Sequence, residues 1–93
     1  MKVETFANVW DALEDDPVVR ENLKVRSELL IALEKTIEGW KLTQKNAAVR
    51  LGISQPRLND LLRGRISKFS LDALVDLATK AGLGITLKIK KAA

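Results

Sequence analysis

Between Ser54 and Lys68 the chain reads SQPRLNDLLRGRISK, in which amides, guanidinium groups and one carboxylate alternate with leucines. Gln55 and Asn59 each carry a donor and an acceptor side by side, the pattern that pairs with an adenine edge, and Arg57 carries the fork that pairs with guanine. Asp60 can accept from a cytosine or orient Arg57, and Pro56 offers an apolar contact. The chemistry these residues share is recognition of base edges by paired hydrogen bonds. Arg63, Arg65 and Lys68 suit phosphate oxygens, which fix register without reading sequence. Thr43, Gln44, Lys45 and Ser54 lie at the starts of two short helices, where N–H groups and a partial positive charge also favour phosphate.

Such groups act together only if two helices hold them at a steep angle. Thr43 is a good N-cap for a helix through Leu51, and Ser54 caps the next through about Arg63. Gly52 supplies the corner, because a residue without Cβ takes positive φ at no steric penalty. Ala47 and Ala48 are small enough for a close crossing, and Leu51, Ile53, Leu58 and Leu61 give apolar contacts across it. Residues 43–63 therefore fit a helix-turn-helix, whose second helix lies in the DNA major groove. Once Leu58, Leu61 and Leu62 are given to the core, the polar residues of that helix face outward.

The rest of the chain must support this unit. Phe6, Val9, Trp10 and Leu13 share one face of a short N-terminal helix or turn, which stops before EDDP. Asp16 then caps a new helix with Pro17 at its first position, running to about Gly39 with Leu23, Leu30, Leu33, Ile37 and Trp40 on one stripe. Gly64 stops the second helix of the pair, and Ser70 caps a further helix carrying Leu71, Leu74, Val75, Leu77 and Ala78 until Gly82. In the tail, Ile85, Leu87 and Ile89 alternate with Thr86, Lys88 and Lys90, the pattern of a half-buried strand over residues 84–90.

At 93 residues and 46% hydrophobic content the chain has enough apolar material for one small core, so a single domain over 1–93 is expected. With no cysteine and no histidine, disulfides and thiolate or imidazole metal sites are excluded. No apolar run approaches the roughly 20 residues of a membrane span, and the N-terminus lacks the apolar core of a signal peptide, so a soluble cytoplasmic protein is expected. The net charge of +4 is unevenly distributed. Acids dominate from Met1 to Leu23, whereas from Lys41 to Lys68 seven basic residues face the single acid Asp60. An acidic end and a basic middle suggest two different partners.

LTQKNAAVRLGISQPRLNDLLRGR followed by FSLDALVDLATKAG resembles the Cro/cI-type (XRE) helix-turn-helix family, and in particular its short HigA-type antitoxins. The order of the NVWDALE segment, long helix, helix-turn-helix, SLDAL helix and terminal strand is similar to that subfamily over most of the chain. The resemblance implies an all-α, five-helix lambda-repressor-like DNA-binding domain with a C-terminal β-strand, and a homodimer on a palindromic operator overlapping its own promoter. It implies a partner as well, a toxin that degrades mRNA. Thr43, Gln44, Ser54, Gln55 and Arg57 fall on positions matching the family's DNA contacts.

On this reading the protein is a repressor and antitoxin that needs no cofactor. Phe6, Val9, Trp10 and Leu13, with acids around them, form an anchor for a basic ribonuclease toxin, or else complete the core on the long helix. Ile85, Leu87 and Ile89 pair two copies across a two-fold axis, the competing outcome being a tail packed on its own domain. A stand-alone XRE-type regulator without a toxin, or a protein-interaction module with residual DNA binding, are the competing functions. Catalysis has no support, since Glu34 and Glu38 more simply solvate a helix face than serve a substrate pocket.

Overall fold

The computed structural model describes residues 16–91. Within them the chain forms four α-helices: α1 (Pro17–Trp40), α2 (Gln44–Leu51), α3 (Gln55–Leu62) and α4 (Leu71–Lys80), with one 3-10 turn (Ile66–Lys68) between α3 and α4. Each helix starts where a side-chain oxygen satisfies N–H groups that the helix itself leaves open. Asp16 accepts from the Val18 and Val19 N–H groups, Thr43 from Asn46, Ser54 from Arg57 and Ser70 from Ala73. Pro17, at the first position of α1, has no N–H to leave open.

α1 is about 36 Å long at 1.5 Å per residue and serves as the spine. Its buried stripe is Leu23, Ser27, Leu30, Leu33 and Ile37, with Ser27 Oγ donating to the Leu23 carbonyl at 2.8 Å so that the hydroxyl costs little in the core. Trp40 ends the stripe half-buried, and Lys41 closes the helix in the left-handed region at φ 56°. α4 packs along α1, and α2 and α3 pack against each other and onto this pair. The core that results is centred on Leu33, Leu51, Leu58, Leu61, Phe69 and Leu74, all fully enclosed.

Three of the four helices end in the same closure. After α2, Gly52 N–H donates to Val49 and Ile53 N–H to Ala48. After α3, Gly64 donates to Leu61 and Arg65 to Asp60, and after α4, Gly82 donates to Thr79 and Leu83 to Ala78. This pair of bonds is the Schellman motif, which satisfies the last carbonyls and needs a left-handed residue at its corner. Gly52 at φ 69° and Gly64 at φ 72° supply it on either side of α3, so the ends of that helix are set by two glycines.

Two expectations are corrected. Among the described residues there are four helices, not five, and no β-strand. The segment carrying Phe6, Val9, Trp10 and Leu13 lies outside the described residues. After Leu83, which packs on the core, residues 84–91 form no regular element, and Ile85, Leu87 and Ile89 are 44%, 77% and 88% exposed. Alternation of apolar residues sets which face a strand would bury, but a strand exists only through hydrogen bonds to a neighbour. No described segment supplies that neighbour.

Candidate nucleic-acid interface

α3 presents the polar face expected from its sequence. Leu58 and Leu61 are fully buried, Leu62 is half-buried, and Gln55, Pro56 and Arg63 are exposed with Asn59 partly so. The side chains of Gln55, Asn59 and Arg63 make no hydrogen bond or ion pair with another described residue. Their donors and acceptors are turned to solvent, as base or phosphate contacts require.

Arg57 and Asp60 share the helix with these residues but are engaged. Arg57 Nη1 donates to the Lys68 carbonyl at 3.0 Å, and the guanidinium lies over the Phe69 ring with 4.2 Å to its centroid. A hydrogen bond from a charged donor contributes about 1.5–3 kcal/mol, and an exposed cation on an aromatic face about 0.5–1 kcal/mol. Asp60 holds two cations of the following loop, Arg65 at 3.3 Å and Lys68 at 3.9 Å. It is the sole acid between Lys41 and Lys68, so the one negative charge of the basic region faces loop cations.

The expected phosphate contacts are distributed over three places. Thr43, Gln44 and Lys45 are exposed at the start of α2, Ser54 is exposed at the start of α3, and Arg63, Arg65 and Lys68 surround the loop that follows. The hydroxyls of Thr43 and Ser54 already accept from the backbone as caps, which leaves each a proton to donate outward. Lys41 closes α1, and Arg50 lies over the Trp40 ring at 4.0 Å to its centroid, fastening α2 to the end of the spine.

Arg26 was not singled out by the sequence reading. Its Nη1 donates to the carbonyls of Ile66 at 3.3 Å and Phe69 at 3.2 Å, with Nε on Asn22 Oδ1 at 2.6 Å. The signal was present, since Arg26 falls three after Leu23 and four before Leu30, a charged residue in the register of the buried stripe. Ile66 and Phe69, between α3 and α4, are core residues as well.

No described group of three or more carboxylates could hold a metal ion, and no described helix is long and apolar enough to cross a membrane. No curated protein matches the chain significantly. A family profile described as a helix-turn-helix domain matches residues 12–90. That match spans α1 to the tail, and with α2 and α3 joined at Gly52 and the polar face of α3 turned outward, the chain belongs to the helix-turn-helix domain family, of the XRE or Cro/cI type.

Proposed function

We propose that the protein is a transcriptional repressor that reads a short palindromic operator with the outward face of α3. The observation that carries this reading is the pair of amides, Gln55 and Asn59, one turn apart on that helix and without partners among the described residues. Pro56 lies against the same groove floor, Arg63 meets the flanking phosphate, and Thr43, Gln44, Lys45 and Ser54 hold the backbone on the other side. A palindrome needs two copies, with readout helices about 34 Å apart, and the exposed Ile85, Leu87 and Ile89 supply an apolar row for the contact between them. Selection from a pool of random duplexes tests the reading: enrichment of a two-fold symmetric site supports it, and recovery of unrelated sequences overturns it.

The finer reading is an antitoxin, which rests on the resemblance and on the acidic stretch from Met1 to Leu23. Its partner is a basic ribonuclease, bound through Phe6, Val9, Trp10 and Leu13, because an enzyme that holds RNA presents a cationic surface. Trp10→Ala then lowers partner affinity by about 2 kcal/mol or more with operator binding and thermal stability unchanged. A loss of several degrees in melting temperature with no selective loss of partner binding returns Trp10 to the core. A stand-alone regulator follows if no neighbouring gene product co-purifies.

A further inference from the structure

We infer that Arg57 is a positioning residue: it joins the recognition helix to the phosphate-gripping loop, which presents Arg65 and Lys68 to DNA, and leaves base readout to Gln55 and Asn59. The inference rests on the operator-binding reading above and names how that site is organised.

Three carbonyls of the loop, those of Ile66, Lys68 and Phe69, accept from two arginines on different helices. Arg26 reaches two of them from α1 and Arg57 reaches the third from α3. The end of the 3-10 turn leaves the Lys68 and Phe69 carbonyls without a backbone donor, and the Ile66 carbonyl, which accepts from Phe69 N–H, has a second lone pair, so a guanidinium is well matched to them. Arg57 is further constrained by the Phe69 ring, which is fully buried and therefore fixed. Lys68 is tied to α3 twice, through its carbonyl to Arg57 and through its ammonium to Asp60, and Arg65 is tied once, to Asp60. The loop cations thus take their places from α3 itself. To pair with a guanine through the same guanidinium face, Arg57 would have to release both the carbonyl and the ring, and the loop would keep only its ion pairs to Asp60 at the moment of binding. Gln55 and Asn59 face no such conflict.

Two measurements test the joint, one without DNA. In Arg57→Ala the amide protons of Lys68 and Phe69, which donate to Arg65 and Ile66, should exchange about tenfold faster while those of α1 and α4 are unchanged. Affinity for selected and for random duplexes should fall by the same factor. Arg57→Lys, which keeps a charged donor for the Lys68 carbonyl, should recover most of both effects. In a chain already carrying Arg65→Ala and Lys68→Ala, Arg57→Ala should cost less than about twofold further, because the groups it positions are gone. A loss confined to the selected site with unchanged exchange would make Arg57 a base reader and overturn the inference. An undiminished loss in the triple variant would make it an independent phosphate contact and overturn it equally. If the unaltered protein binds no duplex, the operator reading fails, and the presenting role fails with it whatever the exchange rates show.

Discussion

At the scale of single residues, α3 carries two kinds of polar side chain that its sequence does not distinguish. Gln55 is solvated and Arg57 is bonded, so their replacement should read differently. Gln55→Ala should cost about 1–3 kcal/mol on the selected operator and little on random DNA, the mark of a lost bidentate contact. Arg63→Ala should weaken both and flatten the salt dependence by about one unit of slope, as measured by titration with increasing salt. Equal losses for Gln55→Ala on both duplexes would take it out of the readout set. Glu34 gives a test that needs no DNA. Burial on α1 raises its carboxyl above the ordinary 4.5, and Glu38 one turn on raises it further by like-charge repulsion. The folded chain therefore keeps this proton at pH values where the unfolded chain has released it. The associated stability is complete below about pH 4.5 and is lost as pH rises through the folded pKa. Glu34→Gln stays neutral throughout, so it should raise the melting temperature at pH 7 and flatten the decline above pH 4.5. An unchanged pH profile would show that Glu34 is not its source.

At the scale of elements, two glycines of the same type should respond in opposite directions. Gly39 lies inside α1, and a Cβ there would meet nothing within 4 Å. Gly39→Ala should stabilise the fold by about 0.5–1 kcal/mol in chemical denaturation, since alanine loses less conformational freedom in a helix. Gly52 is left-handed at φ 69°, and alanine there should cost about 1–2 kcal/mol although the nearest atom, Lys80 Nζ, is an unforbidding 3.7 Å away. The penalty is in the backbone and not in the packing. If Gly52→Ala proves neutral, the corner between α2 and α3 is less constrained than the Schellman closure implies. The caps at Thr43, Ser54 and Ser70 and the stop at Gly64 were all legible, because capping is local chemistry carried by one residue and its neighbours within three positions.

At the scale of the whole molecule, the exposed apolar residues of the tail carry the test of assembly. No described residue beyond Leu83 belongs to the core, so a chain ending at Leu83 should keep its melting temperature. If Ile85, Leu87 and Ile89 meet a second copy, sedimentation of that shortened chain should show a monomer, and operator affinity should fall with loss of the second half-site. A dimer of unchanged affinity would place the contact elsewhere. The basic middle should make binding strongly salt-dependent in either case, because each phosphate neutralised releases counterions.

The sequence by itself determined the helix starts, the corner at Gly52, the buried leucines of α2 and α3 and the membership of a DNA-binding family, since each depends on residue type and on spacing of a few positions. Tertiary structure decided what those rules cannot reach. Arg26 lies 40 and 43 positions from the carbonyls it holds, and Arg57 lies 11 from Lys68, so neither bond has a periodic signature. Phe69 is core, its ring enclosed beneath the Arg57 guanidinium, although its neighbours read as loop. The tail shows the converse. Its alternation is local and legible, but a strand needs a partner at hydrogen-bonding distance, and among the described residues no chain segment comes there.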